Sequence, residues 1–291
     1  MHLSPIPSVT GIEKKEFTQQ YVKNGQPVIL TDFISGSPAL EKWDHDYFRA
    51  VAGDLRVKVH GKEENNPDWV TTPPLGTMLL NEYLDSIEAG PSELRLFLSN
   101  LLLERPVLKK DLKVRKIIDH LLPSLPFLFF GGAGSSVRYH YDIDMSHVFL
   151  TQFQGEKKVL LFRNDQSPLL YRLPFNFHGT ADLRRPDYDR FPALRYLHGW
   201  ECTLKFGDTL YIPSGHWHYI QYITAGYSVS HRALSASILE RAIGLKNIFI
   251  TRRIDNLLRK IYQERWYNKK VKMAHKRAAA RQRTGKSLFH I

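Results

Sequence analysis

Short apolar segments separated by turn signals fill the middle of the chain, between residues 127 and 232. Turns are predicted at Gly131-Gly132, at Gly207-Asp208 and at Gly215. Several short strands joined by such turns favour a β-sandwich or a β-barrel. The strands are predicted at residues 127–130, 148–153, 158–162, 201–204, 209–212, 218–223 and 228–231.

The flanking regions have other periodicities. Residues 1–60 mix helical and strand patterns, and residues 75–89 and 109–122 have the spacing of helices. From residue 234 onward the pattern is helical again. The sequence therefore predicts an α+β chain with a mainly β core.

Two regions are expected from these patterns. The first, residues 1–233, would be one catalytic domain whose barrel core spans residues 127–232. The second, residues 234–291, would be a helical and basic extension.

The net charge of +12 is concentrated near the C-terminus. Residues 252–286 contain 13 lysines and arginines against two acids, which accounts for all but one unit of the excess. One interpretation is that this segment binds RNA, ribosomes or an acidic protein face. The alternative is a solvated helix that binds nothing. Trp266 and Tyr267 lie among these charges and offer base stacking.

A second pattern runs through the same region. Its apolar residues recur at helical spacing and predict a face that packs on the barrel or forms a homodimer. These residues are Ile250, Ile254, Leu257, Leu258 and Ile261.

The sequence lacks the features of a secreted or membrane protein, which bears on its cellular compartment. Cys202 is the only cysteine, so no disulfide can form within the chain and a reducing environment is expected. Residues 1–9 have no basic segment followed by an apolar one, and the apolar runs are too short to cross a bilayer. We expect a cytoplasmic protein without a membrane segment.

A metal site is indicated by His140 and Asp142, which are two residues apart. On an extended strand both side chains point the same way, as two ligands of a 2-His-1-carboxylate triad on non-haem iron would. The third ligand requires a distal histidine, and both His216 and His218 follow a predicted turn. The chain has 13 histidines, and those on barrel strands, such as His147, also suit a purely structural role.

Three blocks together resemble the JmjC, or cupin-like, family of 2-oxoglutarate oxygenases. The blocks are the glycine turn at 131–134 followed by His140-Tyr141-Asp142, the strand pair around Gln152-Phe153-Gln154-Gly155-Glu156-Lys157, and the segment from Glu201 through Gly207-Asp208 and Ile212-Pro213 to His218. The resemblance implies a double-stranded β-helix, or jelly-roll, fold that uses Fe(II), 2-oxoglutarate and O2. It also implies iron ligation by His140, Asp142 and His218, with no further catalytic residue.

The same resemblance suggests co-substrate contacts. Lys157 matches the lysine that binds the distal carboxylate of 2-oxoglutarate, a charge-assisted interaction. Val137 stands where relatives often have threonine, and Ser230 where they often have asparagine. Phe97 lies in the strand where some relatives carry tyrosine.

The implied activity is hydroxylation of a protein side chain, for example in a ribosomal protein, or of a tRNA base. The alternatives are a non-catalytic cupin module that binds a metal or a ligand, and a cupin isomerase that uses manganese or zinc.

Overall fold

The computed structural model describes residues 1–62, 68, 73–99 and 101–288. The strands are β1 (His2–Pro5), β2 (Ser8–Val9), β3 (Val28–Leu30), β4 (Arg56–Val59), β5 (Gly76–Leu79), β6 (Arg95–Ser99), β7 (Leu121–Gly131), β8 (Ser136–His140), β9 (His147–Gln154), β10 (Lys157–Phe162), β11 (His198–Leu204), β12 (Thr209–Ile212), β13 (Trp217–Tyr222) and β14 (Gly226–Ala233). The α-helices are α1 (Lys14–Phe17), α2 (Ala39–Lys42), α3 (His45–Ala52), α4 (Leu80–Glu88), α5 (Leu101–Glu104), α6 (Pro106–Lys110), α7 (Ile238–Lys246) and α8 (Arg252–Leu288).

Two large sheets form the centre of the protein. A five-stranded sheet has the order β1-β11-β10-β13-β8, and a seven-stranded sheet has the order β2-β3-β12-β9-β14-β7-β6. Val148 and Leu150 of β9 are buried in one cluster with Val159 and Leu161 of β10, because alternate side chains of each sheet point inward. The predicted jelly-roll fold is confirmed, with two sheets that face each other. Among the described strands, no backbone hydrogen bonding joins the two sheets into a closed barrel.

Helices and loops cover the outer faces of both sheets. The N-terminal helices pack on the seven-stranded sheet, where Phe48 and Tyr83 are buried with Phe130 and Tyr227. The segment between β10 and β11 covers the five-stranded sheet, where Leu170 is buried with Trp217. Each sheet is therefore buried on two sides.

The helix predicted at 109–122 is wrong. Helix α6 ends at Lys110, and β7 begins at Leu121. The first residues of β7 pair with the end of β14, where Leu121 lies opposite Ala233. Pairing with a distant strand decides this segment, although its local spacing is helical.

The C-terminal helices cross the molecule in two parts. Gln263 has φ 45° and ψ −125°, which breaks the helical path inside α8. Beyond the break Trp266, Lys270, Ala274 and Ala278 recur every four residues and are buried. Trp266 is only 8% exposed and its Nε1 donates to Asp255 Oδ1 at 2.8 Å, so the prediction that Trp266 stacks on bases is wrong.

Before the break, the predicted apolar face does not pack on the barrel. Ile250, Ile254, Leu257 and Ile261 are between 40% and 58% exposed. The alternative of a homodimer through this face stays a prediction. Among the described residues, we find no helix with the length and apolarity needed to cross a bilayer.

Candidate metal centre

Neighbouring strands place the two histidines of the site. His140 at the end of β8 lies directly opposite His218 in β13, so both imidazoles point between the sheets. The register shifts by one residue between His218 and Ile220, which brings Val137 of β8 opposite Ile220. This bulge turns both His140 and Val137 inward although they are three residues apart.

The ligand atoms of His140, Asp142 and His218 all lie within 4.8 Å of one another. The Nδ1 of His140 lies 2.8 Å from the carbonyl oxygen of Arg138, and that of His218 lies 3.2 Å from the carbonyl oxygen of His216. Because a carbonyl only accepts, each Nδ1 carries the proton and each Nε2 keeps a lone pair for a metal. Burial is the main cause that lowers the pKa of His218 to about 3, so this imidazole is neutral at pH 7.

Asp142 is held as a carboxylate by Arg232 of β14. Arg232 Nη2 donates to Asp142 Oδ1 at 2.9 Å, which leaves the other carboxylate oxygen for a metal. Burial opposes ionisation, but the Arg232 guanidinium is the main charge that outweighs it, and the pKa of Asp142 falls to about 2. Nη1 of Arg232 also donates to Asp144 at 3.0 Å and so fixes the guanidinium. Two imidazoles and one carboxylate are a donor set that fits ferrous iron.

A cavity of about 460 Å³ opens beside these three residues. The predicted co-substrate residues Val137, Lys157 and Ser230 all line it. The Ser230 hydroxyl is buried and has no hydrogen-bond partner within the described part of the chain. A buried hydroxyl without a partner is unfavourable, so it suits a polar ligand in this cavity. The assignment of all six residues to iron and 2-oxoglutarate stays a prediction.

Lys157 is a buried cation, only 1% exposed. Its Nζ donates to the Ser228 hydroxyl and lies 4.3 Å from the ring centroid of Tyr222. No carboxylate pairs with it among the described residues, and burial lowers its pKa well below the usual value. A ligand carboxylate would supply the missing negative charge.

The other histidines near the site have separate environments. His147 Nδ1 accepts from the Tyr211 hydroxyl at 2.9 Å and from the Ser214 amide at 3.1 Å, as expected of a structural barrel histidine. His216 lies with its ring 6.0 Å from that of Trp200, and the grouped ligand atoms do not include it. His231 is buried, with its ring 6.1 Å from that of Phe33.

Sequence reasoning missed several polar residues of the cavity, among them Ser228, Arg232 and His178. Ser228 and Arg232 are on the same face of β14 as Ser230, so strict alternation along this strand is a signal that could have identified them. His178 comes from the segment between β10 and β11 and also lines the cavity. It pairs with His140 in an isolated bridge, which no local pattern predicts.

Two facing, mainly antiparallel sheets with two histidines and a carboxylate at one end are the arrangement of a metal-binding protein of the cupin class. Comparison with known families agrees with this description. Residues 14–241 match the model of the Cupin-like domain, which is most of the chain.

Individual relatives of the chain include two demethylases and one tRNA wybutosine-synthesizing protein. The chain is 29% identical over 236 residues to lysine-specific demethylase JMJ30 of Arabidopsis thaliana, covering 76% of this chain and 53% of that protein. It is 28% identical over 239 residues to lysine-specific demethylase 8 of Xenopus tropicalis, covering 77% and 52%. It is 26% identical over 235 residues to tRNA wybutosine-synthesizing protein 5 of Gallus gallus, covering 73% and 72%.

The chain belongs to the cupin-like family, and these relatives support its resemblance to the JmjC-type members of that family. JmjC-type oxygenases use Fe(II), 2-oxoglutarate and O2. The chain spans about half the length of the two demethylases and nearly three quarters of the wybutosine protein.

Proposed function

We propose that this protein is a 2-oxoglutarate-dependent hydroxylase that oxidises a C–H bond of a protein side chain or of a tRNA base. The observation that carries the proposal is the approach of the His140, Asp142 and His218 ligand atoms to within 4.8 Å of one another, beside a cavity that contains Lys157. The relatives include lysine-specific demethylases and a tRNA wybutosine-synthesizing protein, which supports either substrate class.

Different polar residues of the cavity would bind the iron and the 2-oxoglutarate. His140, Asp142 and His218 would hold iron, and Arg232 would orient Asp142 through one carboxylate oxygen. Lys157 would bind the distal carboxylate of 2-oxoglutarate. Bound iron and 2-oxoglutarate would supply the oxidation, in which O2 converts the oxo acid to succinate and CO2 and adds one oxygen atom to the substrate.

Apolar side chains would keep bulk water away from this chemistry. Phe127, Phe129 and Phe177 line the cavity with Ile248, which lies just before α8. Where side chains exclude bulk water, charges are screened less, so each electrostatic contact inside the cavity is stronger. The protein would thus position and shield the reacting groups while the cofactor does the oxidation.

A spectroscopic experiment tests the centre directly. Anaerobic Fe(II) with 2-oxoglutarate should give a weak visible charge-transfer band in the full chain and in the control His216→Ala, which removes a buried histidine outside the site. The band and succinate production should be lost in His218→Ala and Asp142→Ala. A wild-type protein without the band would favour a non-catalytic module, and equal bands in all four proteins would refute the ligand assignment.

The reaction is tested by mass spectrometry of treated cell lysate. A peptide or nucleoside heavier by one oxygen atom should appear with the wild-type protein and not with Asp142→Ala. Release of formaldehyde instead would show that the oxidised carbon is an N-methyl group and would replace hydroxylation by demethylation.

We also propose that the partner or substrate carries negative charge, through contact with residues 252–286. Much of this segment's basic surface is free to meet an anion, since Arg253, Lys260, Lys269, Lys272 and Lys276 are exposed. Binding of RNA or ribosomes should weaken steeply with salt. Neutralising these five residues without loss of binding would remove the segment from the proposal.

A further inference from the structure

One buried histidine of the metal cavity lies outside the candidate metal centre. His178 lines the cavity and is only 2% exposed. It pairs with His140 in an isolated backbone bridge, so it lies beside a candidate iron ligand. The grouped ligand atoms of His140, Asp142 and His218 do not include an atom of His178. His178 is therefore available for a role other than metal binding.

The second ring nitrogen of His178 is a hydrogen-bond acceptor. Its Nδ1 lies 3.2 Å from the carbonyl oxygen of Gly179, and because a carbonyl only accepts, Nδ1 carries the proton. Nε2 is buried and has no hydrogen-bond partner within the described part of the chain. A proton on Nε2 as well would bury a positive charge and a donor without an acceptor, so Nε2 keeps its lone pair. A buried acceptor in a cavity suits a ligand that donates a hydrogen bond.

Backbone hydrogen bonds hold this acceptor in place. The amide of Tyr141 donates to the Phe177 carbonyl at 3.1 Å, and the amide of Leu173 donates to the His178 carbonyl at 3.2 Å. The ring itself is oriented through Nδ1, which donates to the Gly179 carbonyl. The acceptor is thus fixed before a ligand binds, which reduces the entropy lost on binding.

The charges around the cavity favour a neutral ligand group. Two carboxylates line it, those of Asp142 and Asp144, and both accept hydrogen bonds from Arg232. Arg252 also lines the cavity; it is exposed and forms no ion pair with any residue that the structure describes. A cationic group that entered would meet positive charge, and both carboxylates would already be paired. Burial of a cation without a carboxylate partner is unfavourable.

We propose that His178 is a specificity-determining residue, whose Nε2 accepts a hydrogen bond from a neutral group of the substrate inside the metal cavity. A carboxamide or an exocyclic amine satisfies this description, whereas an ammonium or a guanidinium group does not. The role in substrate selection rests on the proposed oxygenase function. Binding of a small neutral donor, in contrast, can be measured without iron.

The test compares two probes of nearly the same shape by ligand-observed NMR titration of the full chain in a chelator. Benzamide has a neutral N–H donor, and acetophenone has a methyl group in its place. The benzene ring of either probe can contact the rings of Phe127, Phe129 and Phe177, which line the cavity. The ratio of the acetophenone dissociation constant to that of benzamide should fall about fivefold from the wild type to His178→Phe, because a neutral hydrogen bond is lost.

Three further variants separate a lost acceptor from a disturbed fold. His178→Leu gives the same comparison with a smaller apolar side chain. His178→Gln keeps an acceptor oxygen and should restore most of the wild-type ratio. The matched control His216→Phe replaces another buried histidine, which does not line the cavity, and should leave the ratio unchanged. Equal ratios in the wild type and the apolar variants of His178 would overturn the proposal, as would an equal fall in His216→Phe.

Benzamidine, which has the same ring and a cationic donor group, tests the preference for a neutral ligand. It should bind the wild type more weakly than benzamide, and Arg252→Gln should narrow this difference. Tighter binding of benzamidine than of benzamide to the wild type would overturn the preference and indicate a cationic target group. A wild-type chain without the visible band of Fe(II) and 2-oxoglutarate would refute the oxygenase function, and the probe ratios would still decide whether His178 accepts a hydrogen bond.

Discussion

Lys157 is a buried cation that the proposed co-substrate would neutralise. Its ammonium group is buried with a hydroxyl and an aromatic ring face as partners, and both are weak substitutes for a carboxylate. Burial therefore lowers its pKa in the free protein. If Lys157 binds 2-oxoglutarate as proposed, its burial destabilises the free protein and stabilises the complex.

Replacing this cation should have opposite effects on stability and binding. We expect Lys157→Met to raise the melting temperature of the protein without co-substrate, because an uncompensated buried charge is removed. The dissociation constant for 2-oxoglutarate should rise about tenfold or more, since a charge-assisted contact is lost. Thermal unfolding and titration of the visible band measure the two effects.

Lys158→Met is the matched control for this prediction. Lys158 is 48% exposed and forms a surface ion pair with Glu201 at 3.0 Å. Its removal should change both quantities little, because surface pairs contribute about 0–1 kcal/mol. A Lys157→Met protein that binds 2-oxoglutarate normally would contradict the assigned role.

His147 makes stability depend on pH. It is 5% exposed, and burial lowers its pKa from 6.5 to about 4. Between these values the unfolded chain binds a proton that the folded chain does not, so stability falls as pH decreases from 6.5 to 4 and changes no further below that. This single group contributes at most about 3 kcal/mol.

The variant His147→Asn isolates this effect. Asparagine keeps an acceptor oxygen for the Tyr211 hydroxyl and the Ser214 amide but cannot be protonated in this range. Urea unfolding at pH 7 and pH 5 should show a smaller loss of stability in the variant than in the wild type. Equal losses would show that His147 does not titrate on unfolding.

At the scale of elements, a cluster of buried ion pairs holds α8 against the rest of the protein. Lys270 is fully buried, and it pairs with Asp68 and, at 2.8 Å, with Asp255. Arg259 binds the same two acids, at 3.0 Å for Asp68. Two bases and two acids balance, so the cluster is neutral as a whole and fixes the position of the helix.

Breaking this cluster should release the second half of α8. Lys270→Met leaves two buried carboxylates with a single positively charged partner, Arg259, and should destabilise the protein by about 3–5 kcal/mol. Amide hydrogen exchange in residues 264–283 should accelerate more than exchange in the sheets. The exposed neighbour provides the control, because Lys269→Met should change stability by no more than about 0.5 kcal/mol.

At the scale of the whole molecule, the apolar face before the break in α8 is exposed to solvent. Leu257 and Ile261 are each 58% exposed, and Phe249 is 55% exposed. Apolar patches of this kind mark interaction sites on proteins. A second copy of the chain is the expected partner, since helices with one apolar stripe pair readily with themselves.

Charge placed on this face should separate the two copies. We expect the wild type to sediment as a dimer and Leu257→Glu as a folded monomer. Lys260→Glu, on the exposed basic side of the same helix, should leave the dimer intact. A monomeric wild type at micromolar concentration would contradict the homodimer.

Local patterns in the sequence were sufficient for the strands and for the most distinctive part of the site. Short apolar segments bounded by turn signals predicted most strands of the two sheets, because both features are visible in any short stretch of sequence. The spacing of His140 and Asp142 predicted a shared direction for two ligands, because alternate side chains of an extended segment point to the same side. The choice between His216 and His218 came from resemblance, since each follows the same turn.

Only the tertiary structure decided which distant groups meet. Arg232 donates to Asp142 from a strand of the other sheet. Strand β7 extends to Leu121 because it pairs with β14. Trp266 is buried because it donates to Asp255 and packs beside Phe175. Periodicity reports which side of an element is buried, but not what it is buried against. Contacts between residues far apart in sequence are settled by the packing of the whole chain.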